Sequence, residues 1–564
     1  MTDLLAQIRA SVVGAHDTVE GPFGPRPVVY ADYTASGRAL TFVEDYVRDV
    51  VLPLYANTHT ESSGTGLQTT RLREEAREIV RRCVGADDDH AVIFCGSGST
   101  GAIDHLIRIL GLRIPAELDD RYALTERIPP DERPVVFIGP FEHHSNELPW
   151  RESICDVVTI AEDADGHIDL DHLEAELEAH GDRPLKIGSF SAASNVTGII
   201  SDTEAIAALL HRHGALSFWD FAAAAPYIGI RMGPAEAEGS HKDAIFLSPH
   251  KLIGGPGTPG ILVVRKELLR NRVPAVPGGG TVWYVSADDH HYVADPEHRE
   301  EGGTPNIVGA IRAGLVFQLK EAVGTDVIRT AEESFIRRAI DSWSGNPNIE
   351  ILGNPDADRL SIVSFTLRRG GRYLHHNYVV ALLNDLFGIQ SRGGCSCAGP
   401  YGHRLLGIDI ETSHEFEREI GRGCEGIKPG WVRVNFNYFI SEETFAYVVD
   451  AVHLVADEGW RLLPRYDFEP LSGLWRHREG PAEPPYSLHQ IAYGPDGITY
   501  PDRRRVEPER SLSDHLAEAR RVLLAATADD APPPPITVGA DFEHLRWFHL
   551  PVEAHRDLAS LTGG

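Results

Sequence analysis

Short β-rich apolar runs alternate with helix-forming segments between Pro27 and about residue 310. Helix-forming stretches such as Leu170–Ala179 and residues 203–213 separate the runs. Six runs have strand composition: residues 92–94, 135–138, 185–190, 216–219, 244–247 and 261–264. This alternation is the pattern of crossover βαβ units, and it predicts a large α/β domain built on a mainly parallel sheet.

The length of 564 residues exceeds what one hydrophobic core normally supports, so we expect several domains. The composition shifts predict an N-terminal arm (1–25), the large α/β domain (26–310), a smaller α+β domain (311–462) and an accessory C-terminal extension (463–564). The N-terminal segment is expected to contribute to the small domain. The extension is rich in proline and charged residues, with one helix candidate at residues 512–526.

The charge balance restricts the kinds of partner that the protein is expected to bind. Lys and Arg number 53 against 83 Asp and Glu, a formal net charge of −30, which disfavours nucleic acid and anionic membrane surfaces. No run approaches the roughly 20 apolar residues of a membrane span, and the first residues lack an apolar leader segment, so a cytoplasmic location is expected. The six cysteines are too sparse for a disulfide framework and are predicted to be thiols.

A glycine-rich segment, Gly96-Ser-Gly-Ser-Thr-Gly101, follows the first strand and precedes an apolar helix. Ligands of α/β sheets bind at the carboxyl ends of strands, and free N–H groups at a helix start favour anions, so an anion cradle is predicted. The same letters fit a dinucleotide fingerprint with Asp119 as its acidic residue, or a plain glycine-rich turn. Asp119 does not follow a β-run, which weighs against the dinucleotide.

Three further strand ends carry candidate functional residues. Asp220 ends a buried strand, where a carboxylate needs a cationic partner such as a protonated pyridine nitrogen; a helix N-cap is the alternative. Lys251 lies between an apolar strand and a glycine-rich loop, where burial lowers a lysine pKa as a Schiff-base lysine requires; an exposed loop lysine is the alternative. His143 is suited to lie over a heteroaromatic ring or to shuttle protons, although with His144 it also offers metal ligands.

These motifs resemble the class V aminotransferase family of fold-type I pyridoxal-phosphate (PLP) enzymes, and within it the cysteine desulfurase branch. The resemblance covers roughly residues 28–455. The matching segments, in chain order, are residues 98–100, 142–146, 194–198, 213–220, 248–251, 303–306, 392–398 and 433–436. It implies an α/β fold-type I architecture, with a mainly parallel seven-stranded sheet in the large domain, a smaller α+β domain and an accessory tail.

The resemblance also implies residue roles. Lys251 is the Schiff-base residue, Asp220 pairs with the pyridine nitrogen of PLP, and His143 stacks on the ring. Asn195 would contact both cofactor and substrate. The residues implied to hold the phosphate are Ser99, Thr100, Ser248 and His250, joined by Thr304 from the second subunit of a homodimer. Arg433 would clamp the substrate α-carboxylate with Arg392 nearby, and no metal is implied.

Cys397 matches the desulfurase nucleophile. The implied reaction removes sulfur from L-cysteine to give L-alanine and a Cys397 persulfide for a sulfur-acceptor protein, with Arg392 favouring the thiolate. A structural cysteine, a metal site with Cys395 and His403, and a resolving thiol at Cys395 are alternatives. The Arg392–Cys397 pattern is also similar to the desulfurase module of molybdenum-cofactor sulfurases.

One departure from the family concerns Ala223, which stands where many desulfurases carry a glutamine that bonds the cofactor's phenolic oxygen. Another donor is expected there. Two further functions stay open: a PLP lyase, epimerase or selenocysteine lyase that needs no persulfide, and a non-catalytic scaffold that keeps the PLP pocket.

Overall fold

A computed structural model describes residues 2–58, 60–233, 238–480, 484–502, 512–528 and 532–562. Its centre is a seven-stranded sheet in the order β1-β7-β6-β5-β4-β2-β3, in which only β7 runs antiparallel to its neighbours. The strands are β1 His90–Cys95, β2 Val135–Ile138, β3 Asp156–Thr159, β4 Lys186–Ser191, β5 Leu216–Asp220, β6 Ala244–Leu247 and β7 Gly260–Arg265. The predicted mainly parallel seven-stranded sheet is confirmed.

Apolar residues cover both faces of this sheet. Strands β1, β2, β4 and β6 are buried along their whole length, which explains why their sequences are continuous rather than alternating apolar runs. Strand β3 is not among the six predicted runs. It lies at the sheet edge with no buried residue, so its sequence lacks the apolar signal of the others.

Helices pack on both sides of the sheet, and several begin with a side-chain cap. Asp169 and Asp202 accept hydrogen bonds from the third backbone N–H beyond them. The large-domain helices are Thr41–Tyr46, Gly64–Cys83, Gly98–Ile109, Ala116–Tyr122, Leu148–Arg151, Leu170–Ala179, Thr203–Arg212, Pro296–Arg299 and Ile307–Val323, with a π-helix at Val47–Val51. A hairpin of Val282–Val285 and His290–Tyr292 projects from this domain with exposed aromatic side chains.

The predicted helical segment from residue 307 to 343 is two helices, Ile307–Val323 and Thr325–Ser344. Gly324 separates them with φ +87°, a conformation that favours glycine. The first helix crosses the predicted domain boundary at residue 310, and its Val316 and Phe317 lie in the large-domain core. The second helix packs in the core of the small domain.

An antiparallel sheet organises the small domain, in the order β8-β9-β12-β11 with β10 paired to β9. Its strands are β8 Ile349–Ile351, β9 Ile362–Arg369, β10 Arg372–Tyr373, β11 Arg392–Gly394 and β12 Trp431–Asn435. The remaining helices are His376–Phe387, Gly399–Leu405, Ile410–Gly421 and Glu442–Glu458. Val29–Tyr30 pairs in parallel with Ile389–Gln390, so the N-terminal segment adds to this domain.

The first residues form a helix, Thr2–Ser11, whose Ile8 is buried in the large-domain core. Arg9 of this helix donates to the carbonyl of Phe439 at 2.6 Å. A short pair of strands, Thr18–Val19 and Arg26–Pro27, completes the N-terminal arm.

The C-terminal extension packs on the small domain and shares its hydrophobic core. Trp475, Phe542 and Phe548 are buried in the same cluster as Tyr378 and Leu382 of the small domain. Its elements are the hairpin Tyr466–Glu469 and Leu474–His477, the hairpin Ala492–Gly494 and Gly497–Thr499, and the helices Leu512–Leu524, Ala540–Leu545 and Pro551–Thr562. Within the described residues, every helix is too short or too polar to cross a bilayer.

Candidate active site

A cavity of about 220 Å³ opens at the carboxyl ends of β1, β4, β5 and β6, and residues of the small domain close its other side. Every site residue predicted from the sequence lines it except Thr304. The predicted residues in its wall are Ser99, Thr100, His143, Asn195, Asp220, Ser248, His250, Lys251, Arg392, Cys397 and Arg433. Loops separated by more than 300 positions in the chain therefore converge on one cavity.

Lys251 ends a short 3-10 turn, Pro249–Lys251, that follows β6. Lys251 lines the cavity and is partly exposed. Burial lowers the pKa of Lys251 to about 8, while the nearby Asp220 carboxylate acts in the opposite direction. A substantial fraction of this amine is therefore neutral and nucleophilic near physiological pH.

Asp220 is the last residue of β5 and is 4% exposed. Its Oδ1 accepts a hydrogen bond from the backbone N–H of Ala222 at 2.8 Å. The residues that follow form turns rather than a helix, so Asp220 is not the N-cap that was the alternative. Burial raises the pKa of Asp220, and the charge of Lys251 partly offsets this effect. A cationic ligand group at this position would satisfy the carboxylate.

His143 follows β2 and presents a neutral ring to the cavity. Burial and the charge of Lys251 lower the pKa of His143 to about 3. Its Nδ1 accepts from the backbone N–H of Ser145 at 3.1 Å, and the Ser145 hydroxyl pairs with Thr100 Oγ1 at 2.6 Å. These bonds hold one edge of the ring at the cavity wall, where its face is available to stack on a ligand.

The loop that carries His143 is anchored by Glu142, whose buried carboxylate accepts from four donors. The donors are Gly139 N, Asn146 Nδ2, Ser191 N and Ser191 Oγ. Burial raises the pKa of Glu142 to about 7, and the donors act in the opposite direction. Since all four groups donate, the geometry is that of an ionised carboxylate.

The glycine-rich segment forms the predicted cradle at the start of helix Gly98–Ile109. Ser248 Oγ accepts from the backbone N–H of Ser99 at 2.8 Å and lies 3.2 Å from Ser99 Oγ. Gly98 has φ +57°, and a Cβ added there would lie 2.7 Å from Ser248 Oγ and 2.9 Å from His250 Cε1. Only glycine leaves room for these groups, and together with the helix start they have a geometry suited to an anion.

Two arginines from the small domain meet a carboxylate that the sequence analysis missed. Asp32 accepts from Arg433 Nη2 at 3.0 Å and from Arg392 Nε at 3.1 Å. Arg433 also donates to the carbonyl of Asn195 at 2.9 Å, and its buried Nε has no partner among the described residues. Asp32 thus holds both predicted substrate-binding arginines at the cavity.

Cys397 lies on the loop that follows β11 and is exposed at the cavity. Asn195 Nδ2 donates to the carbonyl of Ser396 at 2.8 Å, and the backbone N–H of His144 donates to the carbonyl of Cys397 at 2.8 Å. Asn195 and His144 therefore fix the thiol loop against the large domain.

Thr304 lies outside the cavity in the single chain, where its Oγ1 accepts from Asn57 Nδ2 at 3.2 Å. Its predicted role requires a second subunit, so that role stays a prediction. Ala223 does line the cavity, and its methyl group offers no hydrogen bond.

Several lining residues were not assigned by the sequence analysis. They are Thr34, Ala35, Ser97, Ser145, Ser191, Ala193, Ala222 and Ser396. The Thr34 and Ser396 hydroxyls are buried without a partner among the described residues, so both are available to a ligand. Ser97, Ser145 and Ser396 lie within motifs that were quoted from the sequence, although no role was assigned to them. Thr34 lies on a loop whose local sequence carries no strand-end signal.

The geometry does not favour the dinucleotide and metal sites that were considered as alternatives. Asp119 lies in the short helix Ala116–Tyr122 and accepts from the Thr125 N–H at 2.7 Å, away from the cavity. His403 pairs with Ser413 Oγ at 3.0 Å. The metal-like cluster found among the described residues, His211, His241 and Asp243, lies at the other end of the strands, where Arg265 donates to both His241 and Asp243.

Comparison with known proteins agrees with this geometry. The model of the aminotransferase class-V family matches residues 29–413. A probable cysteine desulfurase of Halalkalibacterium halodurans is 29% identical over 378 residues, 66% of this chain and 85% of that protein. A cysteine desulfurase of Dickeya dadantii is 28% identical over 400 residues, 70% of this chain and 88% of that protein.

The fold is also similar to solved structures. A cysteine desulfurase from Thermococcus onnurineus superposes with a TM-score of 0.62 at 24% identity, covering 97% of that chain and 80% of this one. The match therefore spans nearly all of the smaller protein and leaves a fifth of this chain without a counterpart. With a family model that spans most of its length, the chain belongs to the class-V aminotransferase family.

Proposed function

We propose that this protein is a PLP-dependent cysteine desulfurase, acting as a homodimer. The cavity fits the cofactor in three places. The cradle formed by Gly98, Ser99 and Ser248 suits its phosphate, and buried Asp220 suits its protonated ring nitrogen. The Lys251 amine, which lines the cavity and has a lowered pKa, suits covalent attachment. Bound PLP supplies an electron sink for negative charge that develops on the substrate amino acid.

The main observation in support of sulfur removal is that Cys397 and Lys251 line the same cavity. We infer that the substrate carboxylate pairs with Arg433, whose Nε is buried and available, with Arg392 adding positive charge. This orientation directs the substrate side chain toward the loop of Ser396 and Cys397. The substrate is expected to be L-cysteine, as for the relatives named cysteine desulfurase.

The Cys397 thiolate then attacks the substrate sulfur. A new S–S bond forms and the substrate C–S bond breaks, with its electron pair left on the substrate β-carbon, which takes up a proton. The net change converts L-cysteine and the Cys397 thiol into L-alanine and a Cys397 persulfide, without an external oxidant. With PLP bound, Lys251 would hold the cofactor, and its neutral amine is the group that we expect to move protons at the substrate α-carbon.

Alanine and sulfide measurements test the proposal. Purified protein loaded with PLP and given L-cysteine and reductant should form both products in equal amounts. Cys397→Ser should lose nearly all of the sulfide, roughly 10²-fold or more, because the nucleophile is gone. Cys424→Ser, a half-buried cysteine away from the cavity, is the matched control and should keep full activity.

A Cys397→Ser variant that released as much sulfide as the wild type would reject the persulfide route and favour a direct lyase. Lys251→Ala should abolish the visible absorbance of the bound cofactor, whereas Lys266→Ala, in the loop after β7, should not. Retention of that absorbance in Lys251→Ala would reject the cofactor assignment itself.

A further inference from the structure

A second cysteine, Cys395, lies on the same turn as Cys397. The backbone N–H of Ala398 donates to the carbonyl of Cys395 at 3.1 Å, which closes a four-residue turn. Its two central residues, Ser396 and Cys397, have φ values of 51° and 57°. Two consecutive left-handed residues are the mark of a type I′ turn, which normally carries asparagine and glycine. This turn holds a serine and a cysteine at some conformational cost.

Contacts with the large domain hold the turn in place. The carbonyls of Ser396 and Cys397 accept from Asn195 Nδ2 and the His144 N–H, each at 2.8 Å. His144 Nε2 accepts from the Gly399 N–H at 3.1 Å, which fixes the residue after the turn. Delivery of sulfur by a large swing of Cys397 would break all three bonds, each worth about 1 kcal/mol.

The two thiols of the turn differ in where they are presented. Both cysteines are exposed, but Cys397 lines the cavity, whereas Cys395 lies outside the cavity wall. Across a turn, residues two positions apart have Cα atoms about 5–6 Å apart, which is within the range that a disulfide spans. This spacing is therefore compatible with sulfur exchange between Cys395 and Cys397.

We propose that Cys395 takes the transferable sulfur from Cys397 and presents it to the acceptor outside the cavity. This step rests on the proposed desulfurase function. The Cys395 thiolate attacks the outer sulfur of the Cys397 persulfide and forms a new S–S bond. The old S–S bond breaks, its electron pair returns to Cys397 Sγ, and that sulfur takes the proton that Cys395 gave up. The exchange is redox-neutral and leaves Cys397 ready for the next substrate.

In this sulfur relay from Cys397 to Cys395, the two cysteines have different roles. Cys397 lies in the wall of a cavity of about 220 Å³, which has room for an amino acid but not for a protein-sized acceptor. Cys395 is open to solvent, and a persulfide there meets a protein-sized acceptor directly. Loss of Cys395 should therefore affect transfer to large thiols while sparing the first half-reaction.

The test compares wild type with Cys395→Ser, using Cys424→Ser as the matched control. Each PLP-loaded protein receives one equivalent of L-cysteine without oxygen, and alkylated peptides are mapped by mass spectrometry. Two acceptors follow: dithiothreitol, which enters the cavity, and a thiol-bearing polyethylene glycol of several kilodaltons, which does not. In the wild type the persulfide should be found on Cys395, and in Cys395→Ser it should stay on Cys397.

We expect Cys395→Ser to form the same burst of alanine as the wild type. Its rate of sulfur transfer to dithiothreitol should stay within about twofold of the wild-type rate, whereas its rate of sulfur transfer to the polymer should fall about tenfold or more. The relay is wrong if wild-type persulfide is confined to Cys397 and Cys395→Ser serves the polymer equally well. A Cys395–Cys397 disulfide with release of sulfide would also overturn it. Absence of alanine in the wild type would instead reject the desulfurase function.

Discussion

The Lys251 amine must lose its proton before it can capture a carbonyl ligand. Burial lowers the pKa of Lys251 to about 8, against about 10.4 for a free lysine. The nucleophilic fraction therefore increases with pH and approaches its limit above pH 8. We expect the rate at which cofactor-free protein captures added PLP to follow one titration with a midpoint near 8, measured by rapid-mixing absorbance.

The carboxylate of Asp220 supplies the control for this pH profile. Its negative charge raises the pKa of Lys251, so Asp220→Asn should move the midpoint to lower pH. Asp243→Asn removes a buried carboxylate at the far end of the strands and should leave the midpoint in place. A wild-type midpoint near 10 would mean that Lys251 is exposed to solvent and would contradict the burial argument.

Residues at strand ends could be predicted from the sequence, whereas residues brought in by tertiary structure could not. Asp220 and Lys251 directly follow apolar runs, and the carboxyl ends of neighbouring parallel strands meet at one edge of a sheet. Asp32 follows only the two-residue strand Val29–Tyr30. Its contacts with Arg392 and Arg433 bridge about 360 and 400 positions, which no local pattern encodes.

Strand β11, which leads into the loop of the proposed nucleophile, lies beside residues that pack against the C-terminal extension. A Cβ added to Gly393 of β11 would lie 3.2 Å from His376 Cδ2, so little space separates the strand from this histidine. Trp547 stacks on His375 and His376 with ring centroids 5.2 Å and 5.7 Å apart. It also donates from Nε1 to the carbonyl of Ile427 at 3.1 Å. Trp547 packs against His376 beside the strand that leads into Cys397, and we expect it to help to position that strand.

Truncation of Trp547 should impair catalysis more than substrate binding. Trp547→Ala removes the stacked ring and lets β11 and the thiol loop shift, and a displacement of about 1 Å can cost up to 10²-fold in rate. We expect kcat for alanine formation to fall about tenfold or more, with KM for L-cysteine changed far less. Steady-state kinetics of PLP-loaded protein measures both constants.

Two variants separate positioning from general destabilisation. Trp547→Phe keeps a ring on the histidine pair and should recover most of kcat. Trp283→Ala, at an aromatic side chain that is 68% exposed, should leave kcat unchanged. If Trp547→Ala melted earlier but retained wild-type kcat at low temperature, the positioning role would be rejected.

The elements of the extension show where sequence patterns give too little information. The predicted helix over residues 512–526 is present as Leu512–Leu524, because its apolar residues repeat at helical spacing. Its destination was not predictable, since the charged and proline-rich composition of residues 463–564 suggests a solvated appendage. Isolated aromatic residues, Trp475 and Phe548 among them, nonetheless place the extension in the small-domain core.

At the scale of the whole molecule, this shared core predicts that the extension and the small domain unfold together. Phe548 is fully buried and packs edge-on against His375 and Phe468, with centroids 4.6 Å and 5.2 Å away. Phe548→Ala should cost about 3–5 kcal/mol, the usual penalty for emptying a buried aromatic site. Because the cavity left behind lies between the small domain and the extension, the loss of stability should affect both parts.

Hydrogen exchange of the PLP-loaded protein distinguishes a shared core from an independent appendage. In Phe548→Ala, the amides of helix Glu442–Glu458 should lose protection together with those of helix Pro551–Thr562, because both pack in the cluster that contains Phe548. Tyr493→Ala, at a ring that is 82% exposed on the outer hairpin, is the control and should leave both helices unchanged. Faster exchange confined to residues after 463 would show that the extension folds as a separate unit, and the support of β11 by Trp547 would then need another explanation.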